Sequence, residues 1–272
     1  MFSSDMLSNL EKYKSEGYMI PHPSLIKTPE QIEGIRRSGK ITTDILDLLQ
    51  KEIRAGMTTA QIDKLVYDYT TDHKAIPATL NYSGFPKSVC TSINDVVCHG
   101  IPNEKTVLKP GDIVNIDVST ILDGYYSDAS RMYLVEEVSD NARRLVEITK
   151  ECLEIGTKTV KPFASTNDIG RAIEPFANEN GYTVVRDLGG HGVGLKFHEE
   201  PHIDHFAKPG KGVLMLPGMV FTIEPMINEG GYSVKLARDK WTVTTRDGSL
   251  SAQWEYTIAV TESGYDILAG KG

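Results

Sequence analysis

The stretch GDIVNIDVSTILDGYYSDASRMYLV, residues 111–135, is the most informative part of this 272-residue chain. Two runs rich in strand-forming residues flank the dipeptide Asp123-Gly124, which is typical of a two-residue hairpin turn. Such a turn pairs Leu122 with Tyr125 and fixes the register of both strands. The stretch therefore predicts an antiparallel hairpin with strands at 113–119 and 125–134.

This register brings two aspartates together. Asp128 lies opposite Ser119, and Asp117, two residues earlier, shares that face of the sheet. The two residues are then diagonal neighbours with Cα atoms roughly 7–8 Å apart, a gap that suits carboxylates meeting at a metal ion. An exposed Asp128 and a turn-facing Asp117 are the alternative, although Asp is disfavoured inside strands. The hairpin alone leaves both interpretations open.

Two glutamates interrupt apolar strand-forming runs in the same unusual way. Glu224 stands in MVFTIEPM, where the following proline ends the strand, and Glu255 stands in SAQWEYTIAV. Each alone is compatible with an edge strand that turns one charge outward. A buried charge, in contrast, is usually paired or bound to a metal.

The four acids, together with His191 between two glycines, indicate a metal site. A bare cluster of carboxylates resists burial because like charges raise one another's pKa. Two divalent cations would cancel the four negative charges. Oxygen-rich ligation with one imidazole favours manganese, iron or cobalt over a thiolate-type zinc site.

The stretch FHEEPH, residues 197–202, matches the letters of the zinc-protease signature H-E-x-x-H. That signature works only on a helix, where residues four apart share one face. Here Pro201 interrupts the turn, and the glycine-rich DLGGHGVG at 187–194 precedes it. We therefore expect a loop or strand end instead of a zinc helix.

Along the chain, helices are followed by strands, twice over. The capping boxes TPEQ at 28–31 and TTAQ at 58–61 predict the starts of two helices. A second pair follows: one helix at 139–156, and another that begins at STND, residues 165–168, and ends at Gly181. TTAQIDKLV and STNDIGRAI superpose at an offset of 107 residues. This organisation predicts an α+β fold with a mostly antiparallel sheet and an internal duplication. The further predicted strands are 183–186, 219–224, 232–237 and 254–260.

Composition narrows the class of protein. Hydrophobic residues make up 40% and charged residues 24%, which is ordinary for a globular protein, and the net charge of −8 argues against a broad nucleic-acid surface. Three cysteines without a C-x-x-C motif, Cys90, Cys98 and Cys152, favour free thiols in a reducing compartment. There is no membrane-spanning apolar run and no secretory signal, so we expect a cytoplasmic protein.

The motifs NDVVCHGIP, GDIVNIDVS, GGHGVGLKFHEEP, FTIEPM and LSAQWEYTI resemble, in order and spacing, the type I methionine aminopeptidases of the pita-bread metallopeptidase family. The resemblance runs from about residue 27 to 268. It implies a pita-bread fold whose duplicated helix-pair and antiparallel-sheet halves enclose a dinuclear metal site. Residues 1–26 are then an N-terminal extension, which could form a short polar helix, and residues 27–272 the catalytic domain.

The resemblance also implies roles for individual residues. The metal ligands would be Asp117, Asp128, His191, Glu224 and Glu255, holding two divalent ions (Mn, Fe or Co, with Zn an option). His99 and His198 would contact the substrate. A methionine pocket is implied at Tyr82, Phe85, Cys90, His99, Phe197 and Trp241, which suits a thioether side chain. Thr79 stands where some relatives have cysteine, and some members hold a monovalent cation near Asn94, Val96 and Ser251.

The implied reaction removes the initiator methionine from nascent polypeptides, at or near the ribosome. A hydroxide shared by two metals about 3.5–4 Å apart would attack the first peptide bond. Glu224 would shuttle the proton, His99 orient the amide and His198 polarise the carbonyl. One metal would hold the free α-amine. The alternatives are a Xaa-Pro aminopeptidase or prolidase, whose relatives carry a large additional N-terminal domain, and a non-catalytic pita-bread binding module, which would lack metal ligands.

Overall fold

The computed structural model describes residues 4–271. Within this range the α-helices are α1 (Ser4–Ser15), α2 (Pro29–Glu52), α3 (Thr59–Asp72), α4 (Asp140–Lys158) and α5 (Asn167–Glu179). The strands are β1 (Ile76–Pro77), β2 (Cys90–Ile93), β3 (Val96–Cys98), β4 (Ile113–Leu122), β5 (Tyr125–Leu134), β6 (Thr183–Val184), β7 (Gly190–Gly192), β8 (Glu199–Ile203), β9 (Val220–Ile223), β10 (Met226–Asn228), β11 (Val234–Leu236), β12 (Val243–Thr245), β13 (Ser251–Gln253), β14 (Tyr256–Val260) and β15 (Tyr265–Ala269).

The first helix pair begins as the sequence predicts. Thr28 accepts a hydrogen bond from the N–H of Gln31, whose side chain accepts from the N–H of Thr28 in return. Thr58 and Gln61 form the same reciprocal pair at the start of α3. Each box satisfies two backbone donors that a helix N-terminus leaves free, so both predicted starts are confirmed.

The second helix pair differs in one detail. The predicted cap at 165–168 is only partly formed, because Thr166 holds the N-cap position without a side-chain hydrogen bond. Ser165 Oγ instead accepts from the N–H of Asn167 at 3.1 Å, which closes a tight turn one residue before α5. At the other end, α5 stops at Glu179 and Gly181 follows with φ +87°, as predicted.

The named strands pair antiparallel, as predicted, in four sheets. The long strand β4 pairs with β5 on one edge and with β1 and β2 on the other. The second half contains a five-stranded sheet, β15-β14-β9-β7-β8, and a three-stranded sheet, β13-β10-β6. The remaining sheet, β11-β12-β3, joins strands from both halves.

Two buried cores accompany the two helix pairs. The side chains of Ile45, Leu49 and Ile62, from α2 and α3, pack with Tyr133 of β5. Leu145 and Ile169 belong to the second core, which α4 and α5 form against the strands of the second half. This is the α+β arrangement that the sequence predicts, with each half built from a helix pair and an antiparallel sheet, as the resemblance to the pita-bread family implies.

Several predicted strands are shorter than expected. The strand predicted at 219–224 is β9, which stops at Ile223, and the strand predicted at 254–260 is β14, which begins at Tyr256, after β13 ends at Gln253. At both places the chain crosses between the five-stranded and the three-stranded sheet. The strands predicted at 183–186 and 232–237 are likewise shorter, as β6 and β11.

The segment before α2 packs against the second half of the chain. Leu10 of α1 is buried, and the ring of Tyr13 stacks on Phe163 with centroids 5.8 Å apart. Met19 pairs with Val213 in a parallel bridge. The predicted short helix is therefore present, while the division into residues 1–26 and 27–272 stays a prediction.

Candidate metal centre and substrate cavity

The β4–β5 hairpin has the predicted register. Leu122 pairs with Tyr125, and Ser119 pairs with Asp128, so Asp117 and Asp128 are diagonal neighbours on one face. Ser119 Oγ donates to Asp128 Oδ1 at 2.7 Å. Asp117 Oδ1 is buried and has no hydrogen-bond partner among the described residues. A buried carboxylate oxygen without a hydrogen-bond donor fits the role of a cation ligand.

Glu224 and Glu255 lie where the chain crosses between sheets. Glu224 follows β9 and Glu255 precedes β14, and these two strands pair with each other. Because both residues lie outside the strands, their side chains need not follow the strict alternation between the two faces of a sheet. Thr222 Oγ1 donates to Glu224 Oε1 at 2.6 Å and Gln253 Nε2 donates to Oε2 at 3.1 Å. Glu255 is 2% exposed.

His191 stands in β7 between two glycines that the packing requires. A Cβ on Gly192 would come within 2.2 Å of the carbonyl oxygen of Glu200 in β8. The backbone N–H of His191 donates to Thr222 Oγ1 at 3.0 Å, and its Nδ1 lies 3.0 Å from the carbonyl oxygen of Gly192. When Nδ1 donates to that carbonyl, Nε2 has a free lone pair for a metal.

Nε2 of His191 faces the acids. It lies 3.6 Å from Asp128 Oδ2 and 3.7 Å from Glu224 Oε1. Asp128, His191 and Glu255 each offer one ligand atom, and these atoms all lie within 4.8 Å of one another. The structure thus gathers the predicted ligands from both halves around one point, although their metal-binding role stays a prediction.

The electrostatics of this cluster favour a cation. Burial raises the pKa of Asp117 well above its ordinary range, and the charges of Asp128 and Glu224 add to the effect. Burial and the same kind of repulsion raise the pKa of Glu255. Burial also raises the pKa of Glu224 to about 7 against the attraction of His191. Because oxygen donors, one imidazole and unfavourable negative charge coincide, the residues present fit divalent metal ions.

Two further histidines flank the cluster as neutral groups. Burial lowers the pKa of His198 to about 4, helped by the nearby His191, and the ring centroids of the two histidines are 4.1 Å apart. Burial lowers the pKa of His99 as well. The Tyr82 hydroxyl lies 2.9 Å from His198 Nδ1. A neutral imidazole offers one donor and one acceptor nitrogen.

A cavity of about 480 Å³ opens beside the acids. Its walls include the six residues that the resemblance assigns to a methionine pocket: Tyr82, Phe85, Cys90, His99, Phe197 and Trp241. The rings of Phe85 and Trp241 meet edge to face with centroids 5.2 Å apart. Thr79 also lines the cavity. The structure brings these residues together, and their role toward methionine stays a prediction.

Sequence reasoning missed several wall residues. Leu188, Met226 and Gln253 line the same cavity. A signal existed for Gln253, since it stands two residues before Glu255, and for Met226, which follows the Glu-Pro break. Thr222, which bonds Glu224, is also two residues from a predicted ligand. Residues next to a suspected ligand in a buried strand are natural candidates for supporting it.

The FHEEPH stretch does not form a helix. Residues 199–203 form β8, with His191 of β7 opposite His202, so the zinc-helix pattern is excluded as expected. His198 lies just before this strand, at the cavity wall. His202 also reaches the cavity wall, which the sequence did not suggest. The predicted contact of His198 with the substrate stays a prediction.

The three residues proposed for a monovalent cation lie near one another. The N–H of Ser251 donates to the carbonyl of Asn94 at 2.8 Å, and Ser251 Oγ is buried without a hydrogen-bond partner in the described part of the chain. Val96 begins β3 and pairs with Thr244. A cation at this place stays a prediction.

Two duplicated halves that enclose buried carboxylates and an imidazole beside a deep cavity define a pita-bread metallopeptidase. Residues 33–262 match metallopeptidase family M24. The chain is 50% identical over 238 residues to methionine aminopeptidase A of Synechocystis, a match that covers 88% of this chain and 94% of the relative. The chain therefore belongs to metallopeptidase family M24 and, within it, to the methionine aminopeptidases.

Solved structures agree with this assignment. The crystal structure of methionine aminopeptidase from Rickettsia prowazekii superposes with a TM-score of 0.87 at 49% identity, covering 89% of this chain and 98% of that one. The Xaa-Pro dipeptidase from Bacillus anthracis gives a TM-score of 0.73 at 22% identity and covers 91% of this chain and 62% of that one. At this lower identity the likeness shows a shared fold only.

Proposed function

We propose that the protein is a metal-dependent aminopeptidase that removes the initiator methionine from nascent proteins and peptides. The observation that carries this proposal is the convergence of Asp117, Asp128, His191, Glu224 and Glu255 beside a cavity with aromatic and thiol walls. The identity to methionine aminopeptidases over most of the chain supports the same activity.

These five side chains would hold two divalent ions, with manganese, iron, cobalt or zinc as candidates. When bound, such ions supply Lewis acidity that activates water and polarises the scissile carbonyl. The protein's contribution is to hold the donors rigidly. Ser119, Thr222 and Gln253 do so by donating hydrogen bonds to Asp128 and Glu224.

Glu224 is suited to move the proton. Without metal, burial raises the pKa of this carboxyl to about 7, and bound cations would lower it again; what suits Glu224 to the role is its position among the proposed metal donors, beside the cavity. Glu224 would take a proton from the attacking water and deliver it to the leaving nitrogen. Its two oxygens stay oriented by Thr222 and Gln253 during the transfer.

His198 and His99 would act on the amide as neutral donors. When the Tyr82 hydroxyl donates to Nδ1 of His198, the ring proton stays on Nε2. That proton can hydrogen-bond to the carbonyl oxygen as negative charge develops on it. His99, whose ring centroid lies 6.3 Å from that of Trp241, would orient the scissile amide from the pocket side.

The substrate side chain would enter the aromatic cavity. Phe85, Phe197 and Trp241 offer ring edges and faces to a thioether, and sulfur–aromatic contacts are favourable. Cys90 adds a polarisable wall, opposite Asp117 across the β2–β4 pairing. The partners would then be N-termini of nascent chains, at or near the ribosome in the cytoplasm. None of the described helices is long and apolar enough to cross a membrane.

The experiment that tests this function compares two classes of peptide. The metal-loaded protein should release methionine from Met-Ala-Ser and leave Xaa-Pro peptides intact. Faster hydrolysis of Xaa-Pro peptides would assign the chain to the proline-directed peptidases that share its fold. No hydrolysis of either, with no bound transition metal by elemental analysis, would instead indicate a binding module.

A further inference from the structure

A buried ion pair ties the loop that carries Phe197 and His198 to the start of α2. Lys27 Nζ lies 2.5 Å from Glu199 Oε2. The side chain of Lys27 is 0% exposed and that of Glu199 is 9% exposed. Lys27 stands just before α2, and Glu199 opens β8, so the pair joins the two halves of the chain.

The second oxygen of Glu199 holds the loop itself. Glu199 Oε1 accepts hydrogen bonds from the N–H of Leu195 at 2.7 Å and from that of Lys196 at 2.9 Å. The loop turns at Gly194, where φ is +139° and a Cβ would come within 2.4 Å of Ile35 Cδ1 in α2. The loop is therefore seated on α2, and one carboxylate fixes two of its amides.

We propose that Lys27 and Glu199 form a positioning pair for His198. The loop that they fix leads directly into His198, which sits with its ring centroid 5.1 Å from Tyr82 and 4.1 Å from His191. Lys27 acts through Glu199 and the loop, because it lines neither the cavity nor the acid cluster. This inference rests on the proposed role of His198 in hydrolysis of methionyl peptides.

The chemistry of burial explains why removing one partner should matter. Without the ammonium of Lys27, the Glu199 carboxylate is left buried with an uncompensated charge. Binding a water molecule or a proton then stabilises the Glu199 carboxylate, and this weakens its hydrogen bonds to the N–H groups of Leu195 and Lys196. A displacement of about 1 Å in a group that contacts substrate can cost roughly 100-fold in rate.

The test is a double-mutant cycle on Met-Ala-Ser. Lys27→Met should lower kcat by about 10- to 100-fold with little change in KM, while Lys27→Arg keeps most activity. His198→Ala should lower kcat by about 100- to 1,000-fold. The Lys27→Met/His198→Ala enzyme should be no slower than His198→Ala alone, since both act through one imidazole. Lys40→Met, an exposed lysine of α2 paired with Asp44, is the matched control and should leave kcat unchanged.

A second readout is independent of catalysis. Amide hydrogen exchange at Leu195 and Lys196 should accelerate in Lys27→Met and stay slow in Lys40→Met. A fully active Lys27→Met enzyme, additive losses with His198→Ala, or unchanged exchange would each overturn the proposal. If Lys27→Met does not fold, the same cycle and exchange measurement use Lys27→Met/Glu199→Leu, which leaves no charge unpaired but removes the acceptor of both loop amides. A wild-type protein without activity would refute the proposed function, while the exchange measurement would still test whether the ion pair fixes the loop.

Discussion

The imidazole of His205 accepts a hydrogen bond from the backbone N–H of Glu224, with Nε2 and N 3.0 Å apart. His205 is 1% exposed. Glu224 follows the end of β9 and precedes Pro225, so its N–H lies where the sheet ladder stops. The histidine thus replaces the missing strand partner and fixes the backbone of the residue that we propose as proton shuttle.

Removing this acceptor should affect both stability and rate. His205→Ala leaves a buried N–H unsatisfied, which we expect to lower the free energy of unfolding by about 1–3 kcal/mol. It should also lower kcat, because Glu224 loses its fixed position. Urea unfolding and Met-Ala-Ser hydrolysis measure the two effects. His205→Gln, which retains an acceptor oxygen, should retain more of both, and an unaltered His205→Ala protein would refute the structural role.

The same residue should make stability depend on pH. Burial lowers the pKa of His205 to about 3, whereas in the unfolded chain it has the ordinary value of 6.5. The unfolded state therefore binds more protons between these values, so the contribution to stability is complete above pH 6.5 and is lost as pH falls toward 3. The slope is at most about 1.4 kcal/mol per pH unit. Urea unfolding at pH values from 7.5 to 5 should show that the free energy of unfolding falls more in wild type than in His205→Gln. The same fall in both proteins would contradict the burial argument.

Asp117→Asn tests the acid cluster without changing its shape. Burial and neighbouring charges raise the pKa of Asp117, so replacing the carboxylate should leave the metal-free protein as stable or more stable. The rise in melting temperature on adding Mn²⁺ should largely disappear, and activity should fall by more than about 100-fold, beyond the usual effect of losing a supporting residue. Asp68→Asn, on the exposed face of α3, is the control. Equal metal-induced stabilisation of Asp117→Asn and wild type would remove Asp117 from the ligand set.

The aromatic cavity should set affinity for methionine. Phe85 is 2% exposed and lies edge to face with Trp241. Phe85→Leu keeps an apolar wall of similar volume but removes sulfur–aromatic contacts, which are worth about 0.3–1.5 kcal/mol. We expect KM for Met-Ala-Ser to rise by about 2- to 10-fold with kcat nearly unchanged. Phe163→Leu, at the α1 contact, should not alter KM; the same KM in Phe85→Leu and wild type would place methionine elsewhere.

Local chemistry made much of the site predictable. The Asp123-Gly124 turn fixed the register of the hairpin, and that register placed Asp117 and Asp128 on one face. The capping boxes at Thr28 and Thr58 likewise set two helix starts. These features depend on neighbours in sequence, so the pattern of residues contains the information.

Features that depend on distant contacts were not predictable. Pro225 predicts the strand end at Glu224, whereas the late start of β14 after Glu255 arises because the chain changes sheets there, and apolar periodicity does not report which sheet a strand joins. The short strands β2, β3 and β7 are too brief for a periodic signal. The Lys27–Glu199 pair spans 172 residues of sequence, and a lone lysine before a helix gives no sign of burial.

The most direct test of the central claim is activity after metal removal and reconstitution. We expect protein stripped of metal by a chelator to release no methionine from Met-Ala-Ser, and to regain activity on addition of Mn²⁺, Fe²⁺, Co²⁺ or Zn²⁺, each tested separately. Asp117→Asn, stripped and reloaded identically, should stay inactive with each ion. Undiminished hydrolysis by the stripped protein, or inactivity with every ion, would contradict a metallopeptidase built on these five side chains.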